Sequence, residues 1–193
     1  MKKLIGIGLA AAISFGALSG CSILGEKSNG VIAYGTEQQV QQLANQKKND
    51  VKEKDVYRMK LTSLEGKRVL VMDKKTGEEL VKKELLKKVD KNDDTKAINK
   101  LPDVTVEQGV LFTKEEVEDV TIDDIKLKSE GNIIIGDGRS YVDMFAVVDD
   151  AAYNKINGEE KSAGVLKFDK DPKNEIMDMK KQVEELILVK IKK

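Results

Sequence analysis

Val31-Ile32-Ala33-Tyr34-Gly35-Thr36-Glu37-Gln38-Gln39-Val40-Gln41-Gln42-Leu43 decides how the chain folds. A short apolar run rich in β-branched residues reads as a strand. Thr36 with Gln39 three residues on reads as a capping box, and Val40 and Leu43 then lie one helical turn apart. The same order recurs downstream. Val69-Leu70-Val71-Met72 precedes Thr76 and Glu79, and Val110-Leu111-Phe112 precedes Thr113 and Glu116. Met144-Phe145-Ala146-Val147-Val148 leads to Asp149-Asp150, and Val165-Leu166-Lys167-Phe168 leads to Asp171-Pro172, where proline suits the first helical position. Strand followed by capped helix, repeated, predicts an α/β fold: a mixed, mainly central sheet with helices packed on it, with α+β as the alternative.

Further elements follow from the same reading. Leu80, Val81, Leu85 and Val89 continue the helix expected after Thr76, and Ile176, Met179, Val183 and Leu186 form an apolar stripe on a C-terminal helix. Glu65-Gly66 between two apolar runs predicts one hairpin. Asp137-Gly138, between Ile133-Ile134-Ile135 and the run from Tyr141 to Val148, predicts a second. Ile187 to Ile191 is expected as the last strand, and residues 90–100 as an exposed polar loop. The recurrence is too variable in period for a solenoid.

The opening residues follow a different plan. Lys2 and Lys3 precede an uncharged apolar run from Leu4 to Leu18, which ends in Leu18-Ser19-Gly20-Cys21. This is the three-part order of a secretory signal, and about 15 apolar residues fall short of the roughly 20 that span a bilayer. The cysteine after Leu-Ser-Gly separates it from an ordinary signal or an anchor helix. Residues 1–21 resemble the bacterial lipoprotein class, in which the cysteine sulfur takes a diacylglycerol, fatty acids such as palmitate complete the anchor, and cleavage leaves the cysteine as the new N-terminus. The resemblance implies residues 1–20 as signal peptide, 21–29 as lipidated Cys21 with a short tether, and 30–193 as one globular domain. The residues from Ser22 to Asn29 reach at most about 25–30 Å, so the domain is expected close to the cell membrane on its extracytoplasmic face. Asn132 to Val148 and Asn29 to Gly35 also resemble small uncharacterised lipoproteins of bacilli.

Composition narrows the chemistry. The chain has no histidine and one cysteine, so Ser-His-Asp machinery and most zinc sites are excluded; lipid on Cys21 excludes thiol catalysis as well. Its 34 basic and 34 acidic side chains are interspersed. Loss of Lys2 and Lys3 leaves a slightly acidic remainder, which gives no support to nucleic-acid binding. Asp90, Asn92 and Asp94 imitate the start of a calcium loop, but Thr95 and Leu101 stand where glycine and the bidentate glutamate belong. No metal and no cofactor is expected. Asp123-Asp124 and Asp149-Asp150 suit helix starts better than glycoside hydrolysis. The absence of tryptophan leaves sugar-stacking platforms poor.

The most distinctive local stretch is Gly136-Asp137-Gly138-Arg139-Ser140-Tyr141-Val142-Asp143. There Asp137, Gly138, Arg139 and Tyr141 are candidates for contact with a small ligand from a glycine-permitted turn; a hairpin turn with outward side chains is the plainer reading. The expected function is therefore a non-enzymatic, membrane-anchored lipoprotein that engages another envelope component. The alternative is a small-ligand-binding lipoprotein that gathers an anion at threonine-capped helix starts, if those caps cluster on one edge of the sheet.

Overall fold

The computed structural model describes residues 28–115, 117–118 and 120–192. The strand β1 (Gly30–Gly35) is buried at every position, which requires neighbours on both edges and both faces. Thr36 then ends it in the expected way. Its hydroxyl accepts from the Gln39 amide at 3.2 Å, and the Gln39 side chain accepts from the Thr36 amide at 2.9 Å, opening α1 (Glu37–Gln46). Val40, Leu43 and Ala44 form its buried face. β2 (Val51–Leu64) and β3 (Lys67–Asp73) make the first expected hairpin, with Glu65 and Gly66 both at positive φ, 51° and 80°. That pair of left-handed residues matches the right-handed twist of the strands.

The second helix begins and ends earlier than its apolar spacing suggests. In α2 (Lys74–Lys82) the cap is Asp73, whose carboxylate accepts from the Thr76 amide at 2.7 Å; Thr76 itself is buried in the first turn. Asp73 is still extended as it leaves β3, so its acceptor meets the helix start one turn before Thr76 can. At the other end Glu84 takes a left-handed φ of 55°, with Glu84 N–H bonded to Val81 and Leu85 N–H to Leu80. This Schellman closure stops the helix, and Leu85 and Val89 do not extend its stripe. The chain continues instead as β4 (Leu86–Val89) and β5 (Thr95–Ala97), so residues 90–100 are not simply a loop. Asp90 holds the turn between them by accepting from the Asn92 and Asp94 amides at 2.8 and 3.0 Å.

The remaining elements are β6 (Gln108–Phe112), β7 (Val120–Ile122), β8 (Ile125–Ser129), β9 (Ile133–Ile135), β10 (Met144–Val148), α3 (Asp150–Tyr153) and β11 (Glu159–Phe168). A 3₁₀ turn (Pro172–Glu175) then leads into α4 (Ile176–Lys180) and β12 (Glu185–Val189). Nine strands form one sheet in the order β12-β1-β11-β2-β3-β10-β6-β8-β7, and β5-β4-β9 form a second, antiparallel one. In the large sheet β3–β10 and β6–β8 are parallel and the other neighbours antiparallel, so the fold is α/β with a mixed sheet.

Three expectations fail for physical reasons. β9 and β10 are not hairpin partners: β9 pairs with β4, while β10 lies between β3 and β6. Every residue of β10 is buried, a burial that a central place supplies and a two-stranded ribbon does not. Among the described residues no helix follows Thr113, which ends the buried run of β6. Asp171 caps as expected, accepting from the Lys173 amide at 3.0 Å, but the helix it opens is short. Val183 lies past its end and Leu186 belongs to β12. Residues 185–189 gain a full ladder along the edge of β1, which a helical continuation would forfeit.

Apolar side chains fill both faces of the large sheet. Ile32, Tyr34, Met59, Leu70, Met72 and Phe145 pack under Leu86, Ile133 and Ile135 of the small sheet. On the opposite face Val31, Ala33 and Leu166 meet Leu43 of α1 and Met179 of α4, while Val69, Val71 and Ala146 meet Ala152 and Tyr153 of α3. Gly136 sits where the small sheet presses on β1 and β12. It has φ 68°, and a Cβ there would lie 2.7 Å from Val189 Cγ1 and 3.1 Å from Ile32 Cδ1. Gly136→Ala should therefore cost about 2–4 kcal/mol, combining backbone strain with overpacking. Urea unfolding measures it, and a cost below about 0.5 kcal/mol would contradict this packing.

Candidate functional site

Leu18, Ser19, Gly20 and Cys21 lie outside the described residues. Among the described residues, Asn29 holds the entry to the domain. Its amide donates to Val189 at 3.2 Å, its side chain donates to Ile191 O at 2.9 Å, and its side-chain oxygen accepts from Ile191 N–H at 2.7 Å. The chain that enters the domain is thus bolted to the chain that leaves it, where β1 begins and β12 ends.

The stretch from Gly136 to Asp143 runs across the large sheet, from Val189 and Ile32 beside Gly136 to Arg68 beside Asp143, and its four candidates do not converge. Asp137 pairs with Lys87 of β4. Gly138 makes a single bridge back to Ile135 and has open space where a side chain would be. Arg139 folds onto its own surroundings. One terminal nitrogen donates to Phe112 O at 2.9 Å and Asp143 O at 3.0 Å; the other donates to Asn132 Oδ1 at 3.0 Å and Ile133 O at 2.8 Å. Its guanidinium carbon lies 5.3 Å from the centre of the Phe145 ring. Burial pushes the guanidinium pKa down to about 10, against an opposing pull from Asp143, so Arg139 stays charged at neutral pH. A planar fork that satisfies carbonyls from β6, β9 and the loop before β10 is a structural clamp.

Tyr141 turns inward. It is 5% exposed, and its ring stacks on Tyr34 of β1 with centroids 4.8 Å apart and planes 12° from parallel. Its hydroxyl donates to Glu184 Oε2 at 2.8 Å, and Arg68 of β3 lies over its ring at 5.0 Å. Glu184 also accepts from Lys161 of β11 at 2.6 Å, and Lys161 reaches Glu159 at 2.8 Å. The Tyr34 hydroxyl is buried without a partner, and burial raises its pKa far above the ordinary tyrosine value.

Of this cluster the sequence singles out Tyr141 alone; Tyr34, Arg68, Lys161 and Glu184 are not apparent from it. The signal that could have found them was Lys161, spaced two and four residues before Ala163 and Val165 on the inward face of β11, where a lysine needs a carboxylate partner. Burial alone would raise the Glu184 pKa, but the hydrogen bonds from Lys161 and Tyr141 outweigh it and hold the carboxyl below its ordinary value. A depressed folded-state pKa stabilises above the unfolded value of 4.5 and stops doing so as pH falls through the folded value. Unfolding free energy should therefore drop below pH 4.5, and Glu184→Gln should flatten that acid limb. Urea titrations from neutral to acid pH measure it; parallel limbs for the two chains would refute it.

A surface hollow of about 200 Å³ lies beside the clamp, lined by Lys67, Lys114, Glu115, Arg139 and Asp143 among others, with Lys67 ion-paired to Glu115. The three threonine caps do not gather beside it. Thr36 follows β1 and Thr113 follows β6, five strands away, while Thr76 lies within α2. The condition for an anion site built from clustered caps is not met. Among the described residues no group of three His, Cys, Asp or Glu side chains is placed to hold a metal ion, and no helix is long and apolar enough to cross a membrane.

Residues 28–192 match the model of an uncharacterised lipoprotein family. The chain belongs to that family. A 1.5 Å crystal structure of a Bacillus anthracis protein named as a lipoprotein is similar to it at 43% identity, with a TM-score of 0.82 over 86% of this chain and 100% of that one. No curated protein matches the chain. Membership of this lipoprotein family agrees with the motif at Cys21 and fits a bacillus-type relative, and it assigns no specific role.

Proposed function

We propose that the chain is held on the extracytoplasmic face of the cell membrane by a lipid on Cys21, and that its domain is a non-enzymatic module engaging another envelope component. The observation that carries this is the three-part leader ending in Leu18-Ser19-Gly20-Cys21, directly before a region that matches a lipoprotein family. A diacylglyceryl thioether supplies two acyl chains, enough for stable anchoring where one chain binds only marginally. The candidate turn supports a scaffold role, since Asp137, Arg139 and Tyr141 are all engaged by the domain itself. The sequence also has no histidine for general acid–base work near neutral pH.

The test is crosslinking of the native protein in cells followed by mass spectrometry, with the Cys21→Ser chain as control. A specific envelope protein recovered with the native chain and lost from the control is the expected result. Recovery of the same proteins at equal yield from both chains would count against a role at the membrane.

A further inference from the structure

We propose that the end of the sheet where the domain meets its tether is a docking face for anionic phospholipid headgroups. The proposal rests on the anchor at Cys21 proposed above and says how the anchored domain is oriented.

Backbone contacts place the pieces. Phe168 N–H bonds to Asn29 O at 2.8 Å, Asp169 N–H to Asp50 O at 3.2 Å, and Asn29 N–H to Val189 O at 3.2 Å. The loop from α1 to β2, the loop after β11 and the residues after β12 therefore surround the point where the chain comes in from Cys21. Residues 47–54, 167–175 and 190–192 carry nine lysines against five carboxylates. Two of those carboxylates, Glu53 and Glu175, are taken up by Lys167 and Lys47. Among the described residues Lys48, Lys52, Lys54, Lys170 and Lys173 are exposed and make no ion pair. At the opposite end the charges nearly balance: glutamates 37, 65, 159–160 and 184–185 lie with Lys60, Lys67, Arg68, Lys161 and Lys180, of which Lys60 pairs with Glu160, Lys161 with Glu159 and Glu184, and Lys180 with Glu185.

The domain is thus polarised along its strands by an excess of unpaired lysine toward the tether. A near-neutral chain gains nothing from a membrane field through its net charge, but a polarised one is turned by it. A lysine near an anionic bilayer contributes about 1 kcal/mol, roughly fivefold in binding, and the attraction dies within a Debye length of about 8 Å. The tether from Cys21 to Asn29 spans at most about 25–30 Å and can fold shorter, which keeps this end within reach of that field. Lysine suits the task, because a compact, mobile ammonium pairs with headgroup phosphates without a fixed geometry.

The test uses the chain from residue 21 to 193 with Cys21→Ser, which carries no lipid. It is sedimented with vesicles of phosphatidylcholine containing about 30% phosphatidylglycerol, and with phosphatidylcholine alone. Binding to the anionic vesicles only, reduced strongly at high salt, is expected. Changing the five unpaired lysines to glutamine should weaken binding about tenfold or more, whereas changing them to arginine should preserve it. Equal partitioning of the glutamine variant, equal binding to neutral vesicles, or no binding by the parent would overturn the proposal. So would full displacement by millimolar glycerol phosphate, which would indicate a single-phosphate site instead of a surface. Failure here leaves the lipid on Cys21 untouched, and an unlipidated native chain would leave the vesicle result standing.

Discussion

Arg139→Ala should destabilise the domain by about 3–5 kcal/mol, a large share of the 5–15 kcal/mol that usually holds such a fold together. The mutation removes four charge-assisted hydrogen bonds at once and strands the part-buried carbonyls of Phe112 and Ile133, with that of Asp143, beside a gap at the surface hollow. Those acceptors belong to β6, to β9 and to the residues just before β10, so the loss loosens the seam between the two sheets. Arg139→Lys should recover less than half of the loss, since a single ammonium cannot reproduce two parallel pairs of bonds. Urea unfolding measures both variants. If Arg139→Ala falls within about 0.5 kcal/mol of the parent, Arg139 is not a clamp, and the ligand-contact reading of this stretch regains its footing.

Cys21→Ser should abolish lipid labelling entirely and leave residues 1–20 attached, because the hydroxyl cannot form the thioether that processing recognises. Each methylene in a bilayer contributes about 0.8 kcal/mol, so losing two acyl chains removes far more binding than the basic end of the domain can replace. Growth with labelled palmitate, followed by gel and fluorography, reads the labelling, and the migration of the band reads the cleavage. Label retained on the serine chain would place the lipid elsewhere.

The two variants probe parts of the chain that were legible to very different degrees. The Thr36 capping box and the Glu65-Gly66 hairpin could be read from sequence because each is decided within six or seven residues. A hydroxyl three residues from a glutamine, or a glycine that accepts positive φ between two apolar runs, needs no information from the rest of the chain. The α/β class followed from the recurrence of such units. The fate of Ile133 to Ile135 could not be read, because an apolar triplet pairs equally well with any open edge, and β4 offered one. The Leu85–Val89 continuation failed because Glu84, a residue with no special liking for positive φ, closes α2. The short C-terminal helix shows the same competition: Leu186 fits a helical stripe, yet the edge of β1 gives it a strand partner in Ala33.

The candidate site divides in the same way. Arg139 and Tyr141 stood out because a glycine-flanked turn is conspicuous, but conspicuous chemistry in a sequence does not say which way a side chain points. Arg139 is satisfied by carbonyls and Tyr141 by Glu184, which lies 43 residues away. Lys161 and Tyr34 were inconspicuous for the complementary reason, since each sits within a run that reads as ordinary strand. The motif at Cys21 is a reading of sequence alone, and it lies outside the described residues.

The most direct measurement is the intact and fragment mass of the N-terminus of the protein purified from membranes of its native cell type. The predicted result is a chain that begins at Cys21, with residues 1–20 absent and a diacylglyceryl mass on the cysteine sulfur. A chain that keeps residues 1–20, or that begins at an unmodified Cys21, would contradict the account.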